Sequence, residues 1–155
     1  MTNEQISVIF EKHADTVYRV CFAYFKGDTM GAEDAVQTVF LNMIKYKKRF
    51  ENEQHEKAWL IVAASNVCKN MLRRKSRELT QFKDNYQNSP KIVDDTLGII
   101  LELPQNYKMS IYLFYYEGYS AKEIGKMLSR KQSTTWKYLK VGRDMLKSKL
   151  TEEMS

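Results

Sequence analysis

The side chains with the clearest chemistry are basic and polar residues near the end of the chain, and that chemistry is nucleic-acid binding. Residues 129–149 hold 7 Lys and Arg against one acid, Asp144. A helix here would present Ser133, Trp136, Lys137 and Lys140 on one face, with Arg130 and Lys131 in the turn before it. Such side chains and a helix N-terminus can bind phosphates and base edges in a major groove. The competing interpretation is a solvated basic helix.

No pattern of residues points to catalysis or to metal binding. His13 lies on an apolar stripe, which predicts a packed core histidine, and His55 stands alone at a helix start. Cys21 and Cys68 lack metal-ligand spacing and lie in apolar helical patterns, which predicts reduced core thiols in a cytosolic protein. We therefore expect no enzyme, no metal or other cofactor and no small-molecule substrate.

Composition favours long helices and an acidic partner. The 155 residues include 25 Lys and Arg against 19 Asp and Glu, a formal net charge of +6. With only 6 Gly and 2 Pro, the chain has few turn signals for a many-stranded sheet. The first residues are polar and no apolar run approaches the roughly 20 residues of a membrane span, so we expect neither secretion nor membrane insertion.

Three amphipathic helices are predicted in the first half of the chain, from apolar residues recurring at spacings of three and four. The first stripe comprises Ile6, Ile9, Phe10, His13, Val17, Val20, Cys21 and Tyr24. The second helix is predicted to begin near Gly31, with Glu33 and Asp34 in its first turn. Its stripe comprises Val36, Val39, Phe40, Met43 and Ile44. The third is predicted over residues 53–76, with Trp59, Ala63, Val67 and Met71 facing inward.

The second half predicts a helix-turn-helix after a polar linker over residues 77–95. A short helix is expected over 95–102, and Pro104 suits the first turn of the next, which Gly118 ends. Ser120 and Glu123 form a capping-box pattern, which predicts a helix to about Leu128. A tight turn over 129–131 then leads into a last helix over 132–150. Its inward stripe is expected to comprise Thr135, Leu139, Gly142, Leu146 and Leu150.

From Leu103 to Leu150 the chain resembles region 4 of the extracytoplasmic-function (ECF) sigma factors. That family's pattern is Leu-Pro, an aromatic-rich helix, Glu-Gly-x-Ser, Glu-Ile, and a Thr-containing recognition helix that ends in Arg-x-x-Leu. The matching residues here are Leu103-Pro104, Glu117-Gly118, Ser120, Glu123-Ile124, Thr134, and Arg143 with Leu146.

The first half resembles region 2 of the same family. The segment AEDAVQTVFLNMIKYKKRF, residues 32–50, resembles region 2.2, and HEKAWLIVAASNVCKNMLRRK, residues 55–75, resembles regions 2.3 and 2.4. The residues in register are Ala32-Glu33-Asp34, Val36-Gln37, Phe40-Leu41, Phe50, Trp59-Leu60, Ala64, Asn66, Leu72, Arg73 and Arg74. Both motifs occur in the family's order and at its separation.

This resemblance implies an all-α protein with two small helical domains joined by a flexible linker. Residues 1–76 would be the region 2 three-helix bundle, 77–95 the linker, and 96–155 the region 4 helix-turn-helix. The implied function is that of a cytoplasmic sigma factor, which binds core RNA polymerase and directs it to specific promoters. The implied partners are core RNA polymerase, promoter DNA and an anti-sigma factor, often membrane-anchored. The first alternative function is a free-standing helix-turn-helix transcriptional regulator that binds an operator as a dimer. The second is a non-transcriptional helical adaptor whose charge serves only solubility.

The resemblance also implies three sets of contact residues. Contacts to the −35 element are expected from Lys131, Ser133, Thr134, Trp136, Lys137 and Lys140. Contacts to the −10 element are expected from Asn66, Lys69, Asn70, Arg73 and Arg74. Asn can read a base edge, whereas Arg and Lys hold phosphates of the opened strand. Contacts to the polymerase are expected from Asp34, Gln37 and Phe40.

Several of these residues have a second interpretation. Phe40 can be a core residue, Asp34 a helix-start charge, and Arg73 and Arg74 a solvated helix end. Trp59 is interpreted as a core residue, whereas Trp136 can contact thymine methyl groups or brace its domain.

The chain also departs from the family's pattern at four positions. Val62 stands where the family often has Arg, and Glu56 stands where an aromatic residue is frequent. Ser129 and Arg130 replace a Gly and a small apolar residue in the turn.

Overall fold

The computed structural model describes residues 2–26, 28–46, 49–77 and 93–153. The chain divides into two compact units, Met1–Ile92 and Val93–Ser155. Every regular element in the described ranges is a helix, so the predicted all-α fold with two helical domains is confirmed. The predicted linker falls mainly on residues 78–92, which lie outside the described residues. In the described ranges no helix is long and apolar enough to cross a membrane.

Three helices form the first unit: α1 (Asn3–Tyr24), α2 (Thr29–Lys45) and α3 (Glu53–Arg77). Asp28 caps α2, because its side chain accepts a hydrogen bond from the backbone N–H of Gly31 at 2.9 Å. The helix therefore begins two residues before the predicted start at Gly31. The prediction that Glu33 and Asp34 lie in the first turn is wrong, since the first turn of α2 holds no acid.

The buried face of α3 differs from the predicted one. Its buried residues are Leu60, Ile61, Ala64, Ser65 and Cys68. The four residues predicted to face inward (Trp59, Ala63, Val67 and Met71) are only half-buried. At 3.6 residues per turn, the predicted face is rotated from the buried one by about a third of a turn. Phe10 of α1 and Ile44 of α2, also predicted to face inward, are 48% and 40% exposed.

Two polar pairs occupy the core of the first unit. His13, 3% exposed, is a packed core histidine as predicted, and its Nε2 and Glu56 Oε1 are hydrogen-bonded at 2.7 Å across α1 and α3. This pair accounts for a carboxylate at Glu56, where the resembled family frequently has an aromatic residue. Cys21 and Cys68 are free and buried, as predicted. A hydrogen bond with Cys68, together with burial, raises the pKa of the Cys21 thiol and so disfavours its reactive thiolate.

The second unit contains four α-helices among its described residues: α4 (Asp95–Ile100), α5 (Gln105–Ile111), α6 (Ala121–Met127) and α7 (Gln132–Glu153). A π-helical segment, Tyr112–Tyr116, continues α5. Pro104 was predicted in the first turn of α5, but it is the N-cap of that helix. Gly118 follows the π-helical segment with φ at 81°, a left-handed backbone that suits glycine.

Helix α7 packs along α5 and α6 through the predicted stripe, with one exception. Thr135, Leu139 and Gly142 are buried and Leu146 is half-buried, but Leu150 is 41% exposed. A Cβ atom at Gly142 would lie 2.6 Å from Cγ1 of Ile111, so α7 and α5 approach closely at this glycine. The helix thus buries one stripe and leaves the opposite face to solvent.

Candidate nucleic-acid interface

Helix α6 begins at a reciprocal capping box, as the sequence predicts. The backbone N–H of Glu123 donates to Ser120 Oγ at 3.1 Å, and the backbone N–H of Ser120 donates to Glu123 Oε1 at 3.0 Å. The bonds from the backbone and side chain of Ser120 lower the pKa of the Glu123 carboxyl. The pKa of the neighbouring Tyr119 is raised to about 12, mainly by burial and further by the carboxylates of Glu117 and Glu123. The charged form of Glu123, which accepts the capping hydrogen bond from Ser120, is therefore favoured at the start of α6.

The turn between α6 and α7 is tight and is closed by backbone contacts. Ser129 adopts a left-handed conformation, with φ at 55°, which costs a non-glycine residue on the order of 1 kcal/mol. The backbone N–H of Arg130 donates to the carbonyl of Gly125 at 2.7 Å. A Cβ atom at Gly125 would lie 2.8 Å from the carbonyl oxygen of Arg130. This glycine therefore permits the close return of the chain that sets the start of α7.

Arg130 holds the turn against α5, whereas the sequence places it among the DNA-facing cations. Its Nη1 donates to the carbonyl of Asn106 at 3.1 Å and to Ser110 Oγ at 3.4 Å. Its guanidinium lies 4.6 Å from the ring centroid of Tyr138, and that ring meets Tyr107 edge-on. Arg130 thus lies in the turn, as predicted, with its guanidinium held between α5 and Tyr138.

The substitution Arg130→Ala should lower the free energy of unfolding of the second unit by about 1–2 kcal/mol, because two hydrogen bonds and a cation–π contact are lost. Lys131→Ala, one residue away, is the matched control, since Lys131 is exposed. Chemical denaturation of the two full-length variants measures the difference. Equal stabilities would contradict a structural role for Arg130.

The exposed face of α7 carries most of the predicted −35 residues. Ser133, Trp136, Lys137 and Lys140 are exposed on the side opposite the buried stripe. Lys131, just before the helix, is also exposed, whereas Thr134 is half-buried at the edge of the face. Arg143 and Lys147, which were not among the predicted −35 contacts, are exposed and extend this face at helical spacing. The result is a basic face that begins at the N-terminus of α7.

The five predicted −10 residues lie on one side of α3. Asn66, Asn70, Arg73 and Arg74 are exposed and Lys69 is half-buried. Their spacing of three and four places them opposite the buried Ala64 and Cys68. The structure therefore brings two amides and three cations onto a single face of one helix.

An aromatic cluster lies at the start of α3 and was not predicted. The Phe50 ring meets Trp59 and His55 edge-on, with centroids 5.7 and 5.5 Å away. His55 is also not isolated, because its Nδ1 accepts the backbone N–H of Glu51 at 3.2 Å. Asn52 caps the helix by accepting the backbone N–H of His55 at 2.8 Å. The signal available in the sequence was the spacing of Phe50, His55 and Trp59, which allows contact only if the loop folds back.

A third exposed face, on α2, mixes polar and apolar residues. Asp34 and Gln37 are exposed, as predicted for partner contacts, and Leu41 is 63% exposed beside them in helical spacing. Phe40, the third predicted contact, is only 6% exposed, and its ring centroid lies 4.9 Å from that of Phe10. In this conformation Phe40 belongs to the core. Leu41 was not among the predicted contacts, although its apolar side chain at helical spacing from Asp34 and Gln37 was the available signal.

Groups of acidic, histidine and cysteine residues that could hold a metal ion do not occur in the described part of the chain. The three faces carry exposed charged and amide side chains, which suit reversible binding. Two of them are rich in cations and amides, and the third suits a protein surface.

Two family models match the chain, one over each unit. The model for Sigma-70 region 2 matches residues 9–78. The model for Sigma-70, region 4 matches residues 95–146. The faces of α2 and α3 lie in the first match, and the face of α7 lies in the second.

Similarity to individual proteins extends over nearly the whole chain. The ECF RNA polymerase sigma factor SigM of Bacillus subtilis (strain 168) is 25% identical over 154 residues, covering 92% of this chain and 93% of SigM. The sigma factor RpoE of Bartonella quintana, solved with the anti-sigma factor NepR, matches with a TM-score of 0.70 and 16% identity, covering 96% and 95% of the two chains. CnrH, solved with the cytosolic domain of CnrY, matches with a TM-score of 0.65 and 15% identity, covering 97% and 90%. At these identities the two structures are evidence of a shared fold.

Proposed function

This chain belongs to the sigma-70 family, and on that premise we propose how it acts as a sigma factor of the ECF type. It binds core RNA polymerase and directs it to specific promoters for transcription initiation. The observation that carries the proposal is the presence on one chain of region 2 and region 4, each with a basic, exposed helix face. The chain does no covalent chemistry in this role and works in the cytoplasm, where polymerase and promoter meet.

We divide the chain by role into residues 1–76, 77–95 and 96–155. The first segment binds polymerase and the −10 element, the second links, and the third binds the −35 element. Exposure of Lys131, Ser133, Trp136, Lys137 and Lys140 supports a contact of α7 with duplex DNA, in which cations hold phosphates and the helix start meets base edges. Thr134, half-buried at the edge of this face, is proposed as a further contact to the −35 element.

The face of α3 is proposed to hold the −10 element as it opens. Asn66 and Asn70 are exposed amides that can bind the edge of an unstacked base. Lys69, Arg73 and Arg74 supply the cationic surface that a freed strand requires. Their position on one side of one helix supports their acting together.

The face of α2 is proposed to bind core polymerase through Asp34 and Gln37, with Phe40 beneath it. Exposed Leu41 beside these polar groups supports a protein partner, because protein interfaces place apolar contacts inside a polar rim. An anti-sigma factor, membrane-anchored or free, is proposed as a second partner, because the similar sigma factor RpoE of Bartonella quintana was solved with the anti-sigma factor NepR.

Asp34→Lys and Gln37→Ala should each weaken binding to core polymerase by about five- to tenfold, the loss typical of a well-placed interface residue. Helical content should not change, because both side chains are exposed. Glu11→Lys, an exposed charge reversal on α1, is the control. A titration of labelled chain with core polymerase gives the affinities. Wild-type affinity in both variants would refute the contact assignment and leave the DNA faces untouched.

Run-off transcription from genomic fragments tests the function as a whole. Core polymerase should yield defined transcripts only when this chain is added. A free-standing regulator would instead bind specific DNA without polymerase and would not start transcripts with it. Either of those results would refute the proposed function.

A further inference from the structure

Trp136 is exposed to solvent and is therefore not a core residue of the second unit. Trp136 is the fifth residue of α7, and its side chain is 54% exposed. The same helix buries Thr135 and Leu139 beside it. Large apolar side chains that remain exposed at one place on a domain commonly mark a binding surface. The second role open to this residue from the sequence, bracing its domain, does not agree with this exposure.

The neighbours of Trp136 indicate what kind of surface it would meet. Lys140 and Arg143, four and seven residues on, share its side of the helix, and Lys137 and Ser133 flank it. All four are exposed, and none is acidic. Cations around the indole favour a polyanion as the partner over an apolar protein surface. The indole itself favours a polyanion that has an apolar group inside its groove.

In the major groove the one apolar group is the C5-methyl of thymine. The other base-edge groups there are hydrogen-bond donors and acceptors. An indole has one donor, its Nε1–H, and no acceptor, so most of its edge is apolar and matches the methyl group better. The first turns of a recognition helix are the part that reaches base edges. An indole at the fifth position is therefore placed to bury a thymine methyl.

We propose that Trp136 is a specificity residue that selects thymine in the −35 element by contact with its C5-methyl group. This inference rests on the proposed function, since it requires that α7 enter the groove of promoter DNA. It predicts a preference for thymine over cytosine or uracil at one or two positions. Neighbouring Lys137 and Lys140 would add affinity without this preference.

The test removes the methyl group and nothing else. The probe is a promoter fragment recovered by run-off transcription, resynthesised with deoxyuridine replacing each −35 thymine in turn. Wild-type chain with core polymerase should bind one or two of these duplexes about three- to fivefold more weakly in the closed complex, the factor expected for one buried methyl. Trp136→Ala should bind all of them equally. Leu150→Ala, which truncates the other exposed apolar residue of α7, should keep the wild-type pattern.

Each other outcome overturns the inference in a distinguishable way. Insensitivity of the wild type to every deoxyuridine excludes a methyl contact and leaves the sigma-factor function standing. An equal response in Trp136→Ala assigns the methyl contact to another side chain. If Trp136→Ala binds core polymerase more weakly but keeps the wild-type methyl dependence in the closed complex that still forms, Trp136 is a protein contact. If no sequence-dependent complex forms on any fragment, the proposed function itself fails, and this inference with it.

Discussion

On a promoter with a preformed −10 bubble, Asn66→Ala should regain most of the transcription that it loses on duplex DNA, and Lys137→Ala should not. Lys137 is proposed to bind the −35 duplex before melting, and losing a DNA contact costs about 1–3 kcal/mol, or roughly 5- to 150-fold in binding. Asn66 is proposed to hold a base only after it leaves the stack. Its loss should therefore spare the closed complex and impair opening.

The measurement pairs closed-complex affinity with transcript yield on duplex and bubble templates. Removal of a phosphate contact at Lys137 should also make the affinity less dependent on salt, by about one unit in the logarithmic slope. Lys12→Ala and Gln54→Ala are controls that remove an exposed amine and an exposed amide from the first unit, off the proposed DNA faces. Rescue of Lys137→Ala by the bubble without rescue of Asn66→Ala would reverse the two roles.

Gly142→Ala should lower the free energy of unfolding of the second unit by about 1–3 kcal/mol, as overpacking of a tight contact does. The added Cβ would lie 2.6 Å from Cγ1 and 2.9 Å from Cδ1 of Ile111. Ile111 is fully buried, so it has little room to move away. The tilt of α7 on α5 should shift, and −35 binding should weaken together with stability.

Gly98→Ala is the matched control for Gly142→Ala. No heavy atom lies within 4 Å of a Cβ at Gly98 in α4, so the same substitution should stabilise the unit by about 0.4–1 kcal/mol. The sequence has 2 Trp, one in each unit. In a Trp59→Phe background, Trp136 fluorescence therefore follows denaturation of the second unit alone. Equal shifts for both glycine variants would refute the proposed close approach.

Local signals in the sequence were sufficient for the helices and for the fold class. The capping box at Ser120 and Glu123, the tight turn at Ser129 and the start of α7 at Gln132 all lie as predicted. These features depend on hydrogen bonds and backbone angles within a few residues, which the chain encodes locally. The exposed basic face of α7 was predicted for a different reason. The helix carries five Lys and Arg, and such side chains are almost never buried unless they are paired.

The tertiary structure alone decided which apolar stripe of α3 is buried and what Arg130 does. Helix α3 has apolar residues on more than one side, and burial of Leu60 and Cys68 in place of Trp59 and Met71 depends on where α1 and α2 pack. The sequence shows only that Arg130 is a cation in a turn. Its acceptors, Asn106 and Ser110, come from α5, and they are close only because the turn packs against that helix. Such contacts join residues 20 or more positions apart. Helical periodicity reports only neighbours within a few turns, so it cannot specify them.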